Sequence, residues 1–187
     1  MIEPQPVGNP LALHILVLRC QAGDEKAFTR LYEMFGGKTL RYLRGLVGDD
    51  ALDVQQELWL SVFKNIRGIV NPSAFRTWLF RATRHRAVDF LRSARREREL
   101  IDDVGIEDVD ASEELDAGQF EAVDESDLDV ALASMPPPQR EVLLLRYRDE
   151  LSYKEIALIV GCPIGTVRTR LYHAKRRMQE LLKRGEL

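Results

Sequence analysis

The C-terminal third of the chain alternates apolar and polar positions with helical spacing over two adjacent segments. Ser152 is placed to cap the first helix, with Glu155 three residues later as its capping-box partner. The small apolar inner face of this helix consists of Ile156, Ala157 and Val160. Gly161 stands where the helix must end in a left-handed residue. The pattern therefore predicts a short capped helix followed by a tight turn.

The segment after this turn carries one apolar stripe and one basic face. The stripe recurs at steps of three and four residues and consists of Val167, Leu171, Ala174, Met178 and Leu181. The basic face consists of Arg168, Arg170, Lys175 and Arg176. Such a helix after a capped helix and a Gly turn predicts a helix-turn-helix whose second helix reaches DNA. The alternative is an ordinary helical hairpin with a solvated basic face.

The apolar spacing of the N-terminal half predicts four helices. The first begins at residues 23–25 and contains Ala27, Phe28, Leu31, Tyr32 and Phe35. The second ends near Gly48 and contains Leu40, Leu43, Leu46 and Val47. The third begins around residues 49–50 and contains Val54, Leu58, Trp59, Val62 and Phe63. Asp53, Gln56 and Glu57 lie three and four residues apart, so we expect them on one exposed polar face of this third helix.

The fourth helix is predicted from about Ser73 to Arg95 and has two unlike sides. At about 100° per residue, one arc contains Phe75, Trp78, Leu79, Ala82 and Phe90. The opposite arc contains Arg81, Arg84, His85, Arg92 and Arg95. A basic face of this kind is suited to bind nucleic acid. The alternative is that it is simply the solvated face of a core helix.

The distribution of charge changes the interpretation of a net charge of −3. Residues 1–96 carry 15 Lys and Arg against 9 Asp and Glu, residues 97–129 carry 1 against 15, and residues 130–187 carry 11 against 6. Two basic, patterned segments therefore flank an acidic segment without sustained periodicity, which predicts a flexible acidic linker. The two basic segments favour nucleic acid as a partner. A second hypothesis is that the linker mimics nucleic acid and covers a basic groove.

The sequence gives little support for a disulfide framework, a metal site or a membrane segment. Cys20 and Cys162 are far apart, without the spacing of a zinc site or a disulfide framework. Residues 108–119 fail as a calcium loop because Glu113 and Gln119 stand at the glycine and glutamate positions. We expect no cofactor and no metal. The N-terminus lacks the features of a signal peptide, and no apolar run is long enough for a membrane span, so we expect a cytoplasmic protein.

Several motifs together resemble the bacterial sigma-70 superfamily, specifically its small extracytoplasmic-function (ECF) group. GDEKAFTRLYEMF resembles the opening helix of that family, ALDVQQELWLSVF its core-binding helix and FRTWLFRATRHRAVDFLR its promoter-melting helix. LASMPPPQREVLLLRYRDELSYKEIALIVGCPIGTVRTRL resembles the domain that reads the upstream promoter element. The resemblance covers about residues 23–95 and 131–182.

The resemblance implies an all-α sigma factor with two helical domains, at 12–96 and 130–187, an N-terminal tail at 1–11 and a linker at 97–129. It implies a specificity subunit and no enzyme. The subunit would bind the largest and second-largest subunits of core RNA polymerase, direct polymerase to promoters and help open the −10 element. The implied partners also include promoter DNA and an anti-sigma factor.

The resemblance assigns three groups of site residues. Those that bind the polymerase coiled coil are Asp53, Gln56 and Glu57. Those at the −10 element, around a base-accepting loop at 66–74 and a basic helix, are Asn65, Arg67, Asn71, Arg81, Arg84, His85 and Arg92. Those at the −35 element, in the helix-turn-helix at 153–172 and just beyond it, are Thr166, Arg168, Thr169, Arg170, Tyr172, His173 and Arg176.

Three departures from the family pattern concern particular contacts. Leu52 replaces an acidic residue at the edge of the polymerase contact. His173 replaces a more usual Arg, and a neutral His lacks the bidentate fork that reads guanine. Asn71 and Pro72 lie in a stretch that varies within the family, so the resemblance implies no particular base preference there.

Two other classes of function remain open on the sequence alone. The first is a two-domain regulator that binds DNA through 153–177 and senses a ligand or dimerises through 1–96. The basic fourth helix and the polar face of the third helix are unnecessary for such a sensor. The second is a nuclease that holds a metal with Asp53 and Glu57, which lacks a third ligand in a matching pattern.

Overall fold

The computed structural model describes residues 10–99, 132 and 134–184, and every regular element within these ranges is helical. The described residues divide into two compact units with a boundary between Arg92 and Ser93. The predicted all-α class with two helical domains is confirmed. None of the helices in the described ranges is long and apolar enough to cross a membrane.

The first unit is built from four helices and three short 3-10 turns. They are α1 (Pro10–Gln21), α2 (Glu25–Val47), a turn (Gly48–Asp50), α3 (Ala51–Asn65), two further turns (Ile66–Gly68 and Pro72–Ala74) and α4 (Phe75–Glu99). The main core cluster draws on all four helices and consists of Val17, Cys20, Ala27, Leu31, Phe35, Leu58, Trp59, Val62, Ile66, Phe75 and Leu79. A smaller cluster consists of Leu43, Ala51, Val54 and Ala87. Each large side chain buried in this way contributes about 1.5–3 kcal/mol.

Helix α2 is one continuous helix where the apolar pattern predicts two, so that prediction is wrong. The predicted break falls near Gly36, which lies inside the helix and is buried. Its carbonyl accepts a hydrogen bond from Gln55 Nε2 of α3 at 2.6 Å. The ring of Tyr32 packs where a side chain at this position would lie. Close packing against α3 and Tyr32 thus offsets the low helix propensity of glycine.

Helix α1 is an element that the apolar pattern does not single out. It meets α2 at a closed corner, where Gly23 takes a left-handed φ of +89°. Asp24 caps α2 by accepting a hydrogen bond from the Ala27 N–H at 3.1 Å. The same carboxylate forms an ion pair with Arg19 at 2.6 Å. These contacts fix the chain direction between the two helices.

The second unit contains α5 (Pro137–Leu143), a π-helical turn (Leu144–Arg148), α6 (Tyr153–Val160) and α7 (Ile164–Arg184). The predicted capping box at the start of α6 is present in both directions. Gly161 ends α6 with φ 72° and ψ 35°, the left-handed conformation that the turn requires. The predicted helix-turn-helix is therefore confirmed.

The apolar stripe of α7 packs as the spacing predicts. Val167, Leu171, Ala174 and Met178 are buried, and Leu181 is half-buried. The inner face of α6 likewise buries Ile156, Ile159 and Val160.

The predicted acidic linker at 97–129 lies outside the described residues from residue 100 onward, and the predicted tail at 1–11 lies outside them up to residue 9. Helix α4 reaches Glu99, so the last residues of this helix overlap the start of the predicted linker. The limits of the two predicted domains stay predictions.

Candidate protein and nucleic-acid interfaces

A polar face runs along α3 and contains all three residues predicted to contact polymerase. Asp53, Gln56 and Glu57 are exposed, while Val54 and Leu58 on the other side of the helix are buried. The spacing of three and four residues therefore places them together, as predicted.

Glu57 lies near a cation of the neighbouring helix. Its Oε2 lies 3.8 Å from Nη1 of Arg86 in α4, and 70% of the Glu57 side chain is exposed. A pair of this length at the surface contributes at most about 1 kcal/mol. Glu57 can therefore exchange Arg86 for a cation on a partner protein at little cost.

An apolar groove of about 640 Å³ lies beside this face, between α2 and α3. Its apolar lining consists of Phe28, Tyr32, Trp59, Leu60 and Phe63. Leu60 is 62% and Phe63 is 58% exposed. Exposed apolar side chains next to exposed carboxylates are typical of surfaces that partner proteins cover.

The apolar pattern groups Phe63 with the core of α3, whereas the structure places it on the surface. Its ring packs edge-on against Phe28, with 5.1 Å between the centroids. The sequence holds a signal that could have found this position: Leu60 and Phe63 follow Gln56 by four and seven residues. They therefore continue the exposed polar face of α3 rather than its buried one.

The segment 66–74 connects α3 to α4, and most of its residues are exposed. Ile66 and Pro72 are buried, whereas Val70 is 98% exposed. Asn71 Oδ1 accepts a hydrogen bond from the Ser73 N–H at 3.0 Å and so caps the turn before α4. Arg67 is exposed near the corner at Gly23.

Asn65 ends α3 just before this segment, and its side chain folds back onto its own helix. Its Nδ2 donates to the Ser61 carbonyl at 2.8 Å. The predicted loop residues thus lie together at one edge of the unit. The side-chain amides of Asn65 and Asn71 also form hydrogen bonds with the nearby backbone.

The basic face of α4 is largely as predicted. Arg81, His85 and Arg92 are exposed, and Arg84 is half-buried. The buried side is wider than the predicted arc, because Phe80 and Ala87 are also fully buried. Phe80 packs against Tyr42 of α2, with 5.7 Å between the ring centroids.

The outer face of α7 collects most of the residues predicted for the −35 element. At about 100° per residue, one broad arc opposite the buried stripe holds Thr166, Arg168, Thr169, Tyr172, His173 and Arg176. Arg168 and Arg176 are exposed. The rings of Tyr172 and His173 lie 5.4 Å apart on this face. Glu180 accepts a hydrogen bond from Arg176 Nε at 3.1 Å and raises the pKa of that guanidinium.

Two cations of the predicted basic face, Arg170 and Lys175, lie at its flanks and are half-buried. Arg170 Nη1 approaches Cys162 Sγ at 4.0 Å, beside the turn. Lys175 Nζ lies 5.3 Å from the centroid of the Tyr147 ring. The cause is helical register, because residues 170 and 175 lie on either side of the buried stripe.

The two thiols differ in environment. Cys20 is buried in the core of the first unit, and burial, with a smaller contribution from Asp24, raises the pKa of its thiol to about 11. Cys162 is half-buried.

The profile of the family described as "Sigma-70 region 2" matches residues 31–97, and that of "Sigma-70, region 4" matches residues 125–178. The ECF RNA polymerase sigma-E factor of Escherichia coli strain K12 is 31% identical over 191 residues, which cover 95% of this chain and 100% of that protein. The chain belongs to the ECF group of sigma-70 factors. The sigma-E factor of Haemophilus influenzae is 32% identical over 177 residues, with coverage of 88% and 92%.

Solved structures of sigma factors share the fold. RpoE from Bartonella quintana, in complex with the anti-sigma factor NepR, matches 84% of this chain and 98% of its own with a TM-score of 0.69 and 29% identity. CnrH, in complex with the cytosolic domain of CnrY, matches 92% and 97% with a TM-score of 0.65. At 22% identity, the likeness to CnrH bears on the fold alone.

Membership of this group decides between the functions left open by the sequence. The ECF sigma factor binds RNA polymerase and initiates transcription at specific promoters. A regulator that works without replacing a sigma factor is not favoured, because both sigma regions occur in one chain in the order of the family. Sigma factors are initiation factors without an enzymatic reaction of their own.

Proposed function

We propose that this sigma factor binds core polymerase with α3, opens the −10 element with the 66–74 loop and α4, and reads the −35 element with α7. The observation that carries the proposal is that three separate exposed surfaces fall on the segments that resemble sigma regions. Each surface suits its partner: carboxylates beside apolar side chains for protein, and guanidinium groups for DNA. The assigned domains are 12–96 and 130–187, with 97–129 as the linker.

The polymerase contact is assigned to Asp53, Gln56 and Glu57, with the coiled coil of the largest subunit as the partner. Glu57→Lys should weaken the association with core polymerase at least tenfold, because a charge reversal replaces attraction by repulsion. Glu33→Lys is the matched control, since Glu33 is also an exposed surface carboxylate paired with an Arg. Titration of labelled protein with core polymerase measures both. Equal affinities for the two variants would contradict the assignment.

The −10 contact is assigned to the 66–74 loop and the basic helix, through Asn65, Arg67, Asn71, Arg81, Arg84, His85 and Arg92. The loop would accept an unstacked base of the non-template strand, and the guanidinium groups would hold phosphates. Arg81→Ala should lower the fraction of opened promoter without changing the start site. Permanganate reactivity of unpaired thymines measures the opening, and unchanged reactivity at limiting polymerase would contradict the role.

The −35 contact is assigned to Thr166, Arg168, Thr169, Arg170, Tyr172, His173 and Arg176. Arg168→Ala should cost about 1–3 kcal/mol of binding free energy and relax the preference at particular base pairs. Arg168→Lys keeps the charge and loses the planar fork, so it separates base reading from phosphate contact. If the lysine variant keeps both affinity and sequence preference, Arg168 contacts only phosphate.

The proposal extends to regulation and location. We propose an anti-sigma factor as a further partner, because the related RpoE is solved with one and the α2–α3 groove offers an apolar surface next to the polymerase contact. A protein bound in this groove would compete with core polymerase for the chain. We also propose that the chain has no catalytic activity of its own. Because it acts on promoters together with RNA polymerase, we place it in the cytoplasm. Competition between core polymerase and proteins copurified with the chain tests the regulatory part.

A further inference from the structure

One side chain of α1 is bonded to the loop that connects α3 and α4. Gln21 Nε2 donates one hydrogen bond to the Ile66 carbonyl at 3.0 Å and another to the Ile69 carbonyl at 2.7 Å. A primary amide nitrogen carries two hydrogens, so both bonds form at once. The Ile66 carbonyl also accepts from the Ile69 N–H at 3.2 Å. Gln21 thus holds the two ends of a single backbone turn together.

A second contact from α1 reaches the far end of the same loop. His14 Nδ1 lies 2.8 Å from Ser73 Oγ, in the turn that leads into α4. His14 and Gln21 are seven residues apart, about two helical turns, so they lie on the same side of α1. One face of α1 therefore braces the loop at both ends.

The helix that carries these side chains is itself held in place. Val17 is fully buried and Cys20 is 5% exposed, and both belong to the core cluster that contains Ile66 and Phe75. The ion pair between Arg19 and Asp24 closes the corner that follows. Helix α1 is therefore held in a fixed position, so its contacts through His14 and Gln21 can restrain the loop.

Val70 and Asn71 lie in the stretch of the loop between the two contacts from α1. Between the two braced ends, Val70 is 98% exposed, and Asn71 caps the next turn. A loop that is ordered before it meets its ligand does not lose further conformational freedom on binding. Fixed carbonyls at Ile66 and Ile69 therefore set the position of Val70 and Asn71 before DNA arrives.

We propose that Gln21 is a positioning residue for promoter opening: it fixes the 66–74 loop so that the loop discriminates the base it accepts. The proposal rests on the proposed role of this loop at the −10 element. Gln21 acts through the backbone of Ile66 and Ile69 rather than by touching DNA. The sequence pattern assigns no role to α1, so this function is additional to the sites described above.

The test is base discrimination by the holoenzyme on promoter fragments with a preformed bubble, which differ in one non-template base of the −10 element. Gln21→Met keeps the length of the side chain and removes both donors. We expect the ratio of affinities for the preferred and disfavoured base to fall about five- to thirtyfold, which corresponds to one or two average hydrogen bonds. Affinity for core polymerase should stay unchanged. If the Gln21→Met variant keeps the affinity ratio of the wild-type protein, the proposal is overturned.

Two further variants separate positioning from simple loss of stability. Gln55→Met makes the same chemical change at a buried glutamine, whose Nε2 donates to the Gly36 carbonyl and to Thr39 Oγ1, away from the loop. It should destabilise the unit and leave the base ratio unchanged at saturating polymerase. Gln21→Lys restores donors and should recover part of the ratio. An equal fall in the Gln55 and Gln21 variants would overturn the proposal.

The same experiment distinguishes the failure of this inference from the failure of the proposed loop function. Val70→Gly alters the loop directly without touching the brace. If it changes neither the base ratio nor promoter opening, the loop is not the base acceptor and both proposals fall. If it lowers the ratio but Gln21→Met does not, only the inference about Gln21 is wrong. Should Gln21→Met fail to fold, Ser73→Ala removes the second contact of the brace and should lower the same ratio.

Discussion

The hydroxyl of Thr39 joins α2 to α3 inside the first unit, and its removal should destabilise that unit measurably. Thr39 is fully buried. Its Oγ1 accepts hydrogen bonds from Gln55 Nε2 and Trp59 Nε1, each at 3.3 Å, and donates to the Gly36 carbonyl at 3.0 Å. These bonds hold α3 in the register that turns its polar face outward. Thr39→Val removes the hydroxyl and keeps the shape of the side chain.

The cost can be estimated from the partners left behind. Gln55 keeps its 2.6 Å bond to Gly36, whereas Trp59 Nε1 loses the hydroxyl as its acceptor. A buried donor without a partner costs about 1–3 kcal/mol. The added methyl group of Val returns up to about 0.8 kcal/mol. We therefore expect a loss of about 1–2 kcal/mol, equivalent to a fall in the melting temperature of roughly 4–16 °C for a unit of this size.

The chain offers its own probe for this experiment. Its two tryptophans, Trp59 and Trp78, both lie in the first unit, so tryptophan fluorescence during urea unfolding follows that unit alone. In a Trp59→Phe background the indole N–H is absent, so Thr39→Val should cost about 1 kcal/mol less than in the wild type. The same cost in both backgrounds, or a cost below about 0.5 kcal/mol in the wild type, would refute the reasoning.

Three further predictions concern local features. Ser152→Ala removes the cap of α6 and should destabilise the helix-turn-helix by about 1 kcal/mol, seen as faster amide hydrogen exchange in α6; unchanged exchange would contradict it. The Ala27 N–H and the Arg19 guanidinium hold the pKa of Asp24 below its usual range. The stabilisation is therefore present at neutral pH and lost as the pH falls through this lowered pKa, and Asp24→Asn should flatten the acid limb of the unfolding curve. At pH 8, iodoacetamide should modify Cys162 well before buried Cys20 in the folded protein, and equal rates by peptide mass spectrometry would contradict the assigned burial.

Local rules predicted the second unit well because its signals are short-range. Ser152 and Glu155 are three residues apart, and Gly161 follows the last turn of the same helix, so the capping box and the left-handed ending need no knowledge of the rest of the chain. The stripe from Val167 to Met178 likewise depends only on helical period. The exposed face of α3 was predictable for the same reason.

The errors arise where a distant element decides the outcome. Gly36 favours a break locally, but its burial against α3 and Tyr32 keeps α2 continuous. The brace from Gln21 to Ile66 and Ile69 joins residues 45 and 48 positions apart, so no periodicity could indicate it.

The central claim is that this chain gives core RNA polymerase its promoter specificity through two DNA-reading units. The most direct test is in vitro transcription by purified core polymerase with this chain on genomic fragments, followed by mapping of the start sites. The account predicts starts at a fixed distance downstream of a shared two-part motif. These starts should be absent with core polymerase alone and reduced with Glu57→Lys. Sequence-specific binding by the chain without polymerase, with no new start sites when core polymerase is added, would contradict the account.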